Sequence, residues 1–233
     1  MHLSEPTTLV SDWVLAAVAV ALGTRLLRAG GRRQAPRLWA AAFLVGASAA
    51  LAGGAVHGFA ASLSPLAHAA LWKVVLVGSG VAGSLILAGT MLVTLHGTWR
   101  RVLLAGAAAQ LAGYLAVVSR SDDIGHAVWN GAATILVVLA LALASARHDS
   151  GRLGWVLLAL GLSAAGLGAQ RAGVSVAILS HNDACHVLQT AALWPFYRAG
   201  LRLRGKDSEA ALPDGRPQGP GGFRRRDRPG RAH

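Results

Sequence analysis

The amino-acid sequence predicts an all-α protein, an integral membrane bundle of seven transmembrane helices with its N-terminus outside and its C-terminus in the cytoplasm. Three observations lead there. Apolar residues gather in seven continuous blocks, each close to the roughly 20 residues a helix needs to cross a bilayer. Charged residues make up 14% of the chain, against about 25% in an ordinary soluble domain. Basic residues alternate from loop to loop: with seven spans, 19 of the 22 Lys and Arg fall on one side and three on the other, the bias that sets orientation in membranes.

The first block, 9–28, follows MHLSEPTT. That leader has no basic stretch and no small-residue cleavage site, so a retained helix is expected rather than a signal peptide. Ser11 and Asp12 lie near its outer end. The second block, 37–60, is built on AAAFLVGASAALAGG and reaches His57 just after Gly53 and Gly54. The third, 69–95, holds GSGVAGS, where Gly80 and Ser84 form a small-xxx-small pair that lets helices approach closely. GAAAQLAG serves the same packing in the fourth, 101–119, where Gln110 and Tyr114 share a face.

The fifth block, 124–146, continues a stripe of Asp122, His126, Asn130 and Thr134, one every four residues and therefore on one helical face. The sixth, 152–171, has Gln170 near its outer end, and GLSAAGLGAQRAGVSVAIL either extends it or forms a short re-entrant piece. The seventh, 184–203, opens with SHNDACHVLQ, in which Asn182, His186 and Gln189 recur at four and three residues. Asn182 or Asp183 is the expected N-cap. No internal repeat is visible, so an inverted-repeat transporter is not supported.

The chain divides into a transmembrane domain, 1–203, and a tail, 204–233. The tail is rich in Pro, Gly and charge and too poor in apolar residues to offset the entropy of ordering, so a disordered basic cytoplasmic tail is expected.

Arg25, Arg28, Arg32, Arg33 and Arg37 follow the first block, Arg100 and Arg101 the third, Arg147 and Arg152 the fifth, and ten basic residues the seventh. Lys73, Arg120 and Arg171 are the three on the other side. A net charge of +12 invites a nucleic-acid reading. The basic residues lie in short loops and the tail with no aromatic stacking platforms among them, which excludes nucleic acid as a partner. The lipid bilayer is the expected partner, and a bacterial inner membrane the expected location. Cys185 is the one cysteine; it excludes an intrachain disulfide and reads as packing.

On the inferred outer side lie His2, His57, His68, His126, His181 and His186, with Glu5, Asp12, Asp122, Asp123 and Asp183. Insertion rules explain why Lys and Arg avoid that side but not why imidazoles gather there. Ionisable groups at such depths face a bundle interior or a water-filled cavity. Three helices bringing imidazole to one depth suggest zinc, which binds neutral imidazole and in catalytic sites keeps three protein ligands and one water. His57, His181, His186 and His126 are the candidate ligands, and Asp122, Asp123 and Asp183 the candidate bases or partners of an imidazole. His181 and His186 would point about 140° apart on a continuous helix, so they converge only if His181 precedes it.

Three short motifs carry a resemblance: SEPTTLVSDW at the N-terminus, GGAVHGF ending the second block and HNDACHVLQ opening the seventh. Through them, residues 4 to about 200 resemble a family of uncharacterised bacterial seven-helix membrane proteins, and more distantly the alkaline ceramidase and adiponectin-receptor superfamily. That second likeness implies a zinc ion held by a second-helix histidine, here His57, and two seventh-helix histidines, here His186 and His181. The chain departs from that pattern in three ways. The seventh-helix spacing is one residue longer, Gly53 stands where the superfamily has serine, and its third-helix aspartate has no counterpart.

Three function classes follow. The first is a zinc-dependent hydrolase of lipid amides or esters, the metal acidifying a water and polarising the carbonyl. The second is a non-enzymatic membrane protein that binds or senses metal or external pH. The third is a haem-binding or proton-handling membrane protein with histidines from two helices.

Overall fold

The structure, a computed structural model, describes residues 3–147, 149–175 and 180–203. Seven helices account for nearly all of them: α1 (Pro6–Gly30), α2 (Gln34–Phe59), α3 (Pro65–Thr94), α4 (Gly97–Val118), α5 (Ile124–Ala144), α6 (Ser150–Arg171) and α7 (His181–Leu201). No strand occurs among the described residues. The tail, 204–233, with its expected disorder, lies outside them, as does His2.

Local chemistry sets the helix ends. Pro6 occupies the first turn of α1, where its missing N–H costs nothing. Ser64 caps α3 by accepting the Ala67 N–H at 3.2 Å. Asp123 caps α5 through the Gly125 N–H at 2.8 Å, and Asp149 caps α6 through the Arg152 N–H at 2.9 Å. Gly31 (φ +56°) turns the chain out of α1 and Gly173 (φ +64°) turns it away after α6, both in the left-handed region that favours glycine. The open choice for 172 onward thus resolves in part: α6 ends at Arg171 and residues 172–175 are not helical.

α7 corrects one expectation. Its N-cap is Ser180, not Asn182 or Asp183. The Asp183 N–H donates to Ser180 Oγ at 3.2 Å while Asp183 Oδ2 accepts the Ser180 N–H at 2.8 Å. This reciprocal box satisfies two backbone donors at once, which a cap at 182 or 183 could not do. It makes His181 the first residue of the helix.

α1 lies between α2 and α7, α2 packs on α3, α3 carries α4 and α5, and α6 packs on α7. The core gathers around Trp39, which is 1% exposed. Its Nε1 donates to the Ile86 carbonyl at 2.9 Å, and Phe196 of α7 meets it edge-on at 6.2 Å. Pro195 is buried inside α7 and has no N–H for the preceding turn.

At the end that carries the N-terminus, α1 and α2 approach through glycine. A Cβ at Gly54 would stand 2.7 Å from Trp13 Cδ1, and one at Gly58 2.8 Å from Leu9 Cδ2. The third-block stripe works differently: the Tyr114 ring of α4 sits directly over Gly80 and its hydroxyl donates to the Leu76 carbonyl at 2.6 Å.

Lys73 fastens α3 to the α4–α5 loop, its Nζ 2.8 Å from Asp122 Oδ1 and donating to the Val118 and Ser121 carbonyls. Trp72 Nε1 donates to the Asp122 carbonyl at 2.8 Å.

Six helices, α1 to α6, are long and apolar enough to cross a membrane. α7 falls outside that group because its first six residues are HNDACH and it carries Gln189 and Arg198. Trp99 (72% exposed) and Trp129 (76%) stand near opposite ends of the α4–α5 layer, where interfacial tryptophans belong in membrane proteins.

Candidate functional site

Residues 8, 11 and 12 lie one turn apart on α1, so Thr8, Ser11 and Asp12 share a face. That face meets the first turns of α7. The Ser180–Asp183 box holds Asp183 in place there, and His186 follows one turn later on the same side. Asp183 is fully buried and Asp12 is 5% exposed. Asp12 fits against α2 because Gly53 leaves the room: a Cβ there would stand 3.3 Å from Asp12 Oδ2.

The imidazole of His186 bridges the two carboxylates. Its Nδ1 is 3.1 Å from Ser11 Oγ, and Ser11 Oγ is 3.4 Å from Asp183 Oδ1. On the other side, Nε2 is 3.4 Å from Asp12 Oδ1. Ser11 has a single proton, and its shortest acceptor is the Thr8 carbonyl at 3.0 Å. Nδ1 either accepts that proton, leaving Nε2–H to donate to Asp12 Oδ1, or itself donates to Ser11 Oγ while Ser11 turns to Thr8. In the second arrangement Nε2 and Oδ1 attract only through a further proton between them.

A second pair forms the rim. His57 Nδ1 is 3.1 Å from Glu5 Oε2, both partly exposed. The backbone reinforces this join, with Ser4 N–H donating to the Gly58 carbonyl at 3.0 Å. Around α7, Asn182 accepts from Gln170 Nε2 of α6 at 2.9 Å and Gln189 Nε2 donates to the Ser163 carbonyl at 3.4 Å. The polar stripe of α7 is therefore divided, His186 turned to α1 and the two amides to α6.

The structure brings three of the sequence-derived candidates to one end of the α1–α2–α7 joint: His57, Asp183 and His186. The others sit elsewhere. His181, first in α7, is exposed, since five residues of continuous helix turn it about 140° from His186. Asp122 is exposed and paired to Lys73, and Asp123 is exposed and caps α5. His126 is half-buried in the first turn of α5, and of its stripe only Thr134 is fully buried.

Asp12, Ser11 and Glu5 complete the cluster, and sequence reasoning had given them no role. A carboxylate well inside an apolar block was the available signal. Zinc of the catalytic kind needs three protein donors on one ion. Among the described residues no three His, Cys, Asp or Glu side chains are gathered to hold one; as arranged, the donors do not make such a centre.

No curated protein and no solved structure matches the chain. A family model does, over residues 7–205, a span that contains Asp12, His57, Asp183 and His186. The chain belongs to the family described as Family of unknown function (DUF6962).

Proposed function

We propose that the chain is a multi-pass protein of the bacterial inner membrane, N-terminus outside, that takes up a proton from the external side between Asp12 and His186 and so senses external pH. One observation carries the reading: Asp12 Oδ1 and His186 Nε2 stand 3.4 Å apart while Ser11 occupies the ring's other nitrogen. Removing a charge from water costs several kcal/mol per ion in a protein interior. Two buried carboxylates with one imidazole and no Lys or Arg in the cluster are relieved by a proton.

The groups facing the pair are Asp183 and Cys185 of α7, and His57 of α2 with Glu5 at the head of α1, the last two engaged with each other. Lys73 of α3 is committed to Asp122, and Arg171 of α6 is exposed.

The sign follows from the proton count. Raising the pH withdraws the shared proton and leaves two buried anions, so the folded protein should lose stability toward alkaline pH. Asp12→Asn keeps the shape and replaces the protonated acid by a neutral amide. Below about pH 6.5 the unfolded chain's imidazole holds a proton too. Between about pH 7 and about pH 9, unfolding midpoints in detergent micelles should fall for the native chain, by about 1.4 kcal/mol for each pH unit by which the fold holds the shared proton beyond about 6.5, and stay level for the variant. Parallel curves would sink the reading.

Metal analysis of the same preparation is a second arm. One zinc per chain, lost in His186→Ala, would replace proton sensing by metal binding and favour the lipid amide or ester hydrolase that the ceramidase likeness implies. A haem absorbance band would favour the third class.

The membrane orientation rests on the distribution of the 22 basic residues over seven spans, with α7 crossing beside the six apolar helices. Reporter fusions after Arg33 and after Asp123 should score cytoplasmic and external respectively. The reverse pair of signals would invert the topology and put the cluster on the cytoplasmic side.

A further inference from the structure

The outer face of the α4–α5 layer carries a polar feature that the cluster does not use. Gln110 of α4 is exposed, and its Nε2 donates to Oδ1 of half-buried Asn130 in α5 at 3.2 Å. Counting from the outer ends of their helices at 1.5 Å per residue, the pair lies about 9–12 Å down. That depth is inside the hydrocarbon of a bilayer whose apolar core is about 30 Å thick.

One hydrogen bond does not satisfy two amides. Gln110 keeps a carbonyl oxygen and one N–H, and Asn130 keeps its amino group. Exchanging the two amide orientations leaves the same kind of inventory, an acceptor on one residue and donors on the other. Lipid tails can satisfy neither. The surface around them is bare: of the 22 residues of α4, Tyr114 and Val118 are the buried ones. Gly106 and Gly113 flank Gln110 at four and three residues, on one side of the helix, and a Cβ at either would meet nothing within 4 Å.

We propose that this face is a homodimer interface, a second copy of the chain packing α4 against α4 about a two-fold axis along the membrane normal. Two-fold symmetry sets each residue pair twice, i against j and j against i. Gln110 and Asn130 share a depth because they bond each other, so the free donors of one copy meet the free acceptor of the other, and the reverse. The occupant must be apolar with an amide-type donor and acceptor at this level. A second copy supplies both without further assumption. The open glycines let the two backbones come close enough for those bonds. The inference rests on the membrane-spanning reading above, which the reporter fusions test separately.

The full chain, purified in a mild detergent, should show by light scattering a protein mass of two chains that falls to one on dilution into excess micelles. Gln110→Leu with Asn130→Leu should weaken the dimer about tenfold, the scale of a symmetric pair of interhelical hydrogen bonds. Gly113→Leu projects into open space in one copy, so it should leave the single chain folded and still block pairing. In native membranes, Gly106→Cys in a Cys185→Ala background should cross-link to itself under oxidation. A native chain that is monomeric at every detergent ratio would overturn the proposal. So would equal dimerisation in the double variant and Gly113→Leu, or cross-linking solely to a different protein.

Discussion

Replacing Asp183 by alanine should destabilise the folded protein by about 2–4 kcal/mol, since it removes a capping box, worth about 1 kcal/mol, and leaves buried donors unpaired at about 1–3 kcal/mol. The carboxylate is fully buried. It takes the Ser180 N–H at 2.8 Å and has Ser11 Oγ at 3.4 Å. Alanine leaves the Ser180 N–H without its acceptor. Asp183→Asn keeps one oxygen for the Ser180 N–H and should cost less than half as much. Chemical or thermal unfolding in micelles, followed by circular dichroism, reads the difference. A loss below about 1 kcal/mol for alanine would show that α7 is seated by its apolar face alone.

Gly54→Val should be comparably damaging, about 3 kcal/mol, through overpacking. Its Cβ would lie 2.7 Å from Trp13 Cδ1, 2.9 Å from Trp13 Nε1 and 3.0 Å from Asp12 Cβ. Relief requires α1 to move off α2, and that displaces Asp12 from His186. Gly46→Val in the same helix is the control, because nothing lies within 4 Å of its Cβ; it should change stability by no more than about 0.5 kcal/mol. Equal effects at the two positions would mean that the close approach at Gly54 relaxes without cost.

The helices were legible because each rests on a continuous apolar run, and their ends shifted by no more than four residues. α2, expected over 37–60, spans Gln34–Phe59, and α5, expected over 124–146, spans Ile124–Ala144. The start of α7 was misjudged because SHND offers several capping residues. Only the reciprocal Ser180–Asp183 geometry decides among them, and a cap two or three residues earlier takes His181 into the helix and away from His186.

Within the site, His186 and Asp183 were readable as polar groups in a membrane-depth helix. Their partners were not, since the spacing of residues on α7 says nothing about which face of α1 will meet it. Asp122 and Asp123 looked equivalent to Asp183 by side and by depth. They differ because Lys73 and the N-terminus of α5 are near enough to use them. Where the sequence showed a stripe of four polar residues on one face, the structure leaves exposed Asp122 in the loop ahead of α5 and grades the other three from half-buried His126 and Asn130 to buried Thr134. Periodicity fixes the face but not the angle at which the helix is set down.

The cluster joins the first helix to the last, and Ser11 and His186 are 175 residues apart. At synthesis rates of about 5–20 residues per second, roughly 10–35 s pass between the appearance of one and the other. Throughout that interval α1 carries a carboxyl group whose imidazole does not yet exist. The hairpin with α2, complete much earlier, is its cover: the glycines at 53 and 54 draw the acid against a neighbouring backbone. A ribosome that stops short of α7 therefore releases a chain with an unanswered aspartate at its first helix. Only the arrival of α7 gives Asp12 its imidazole.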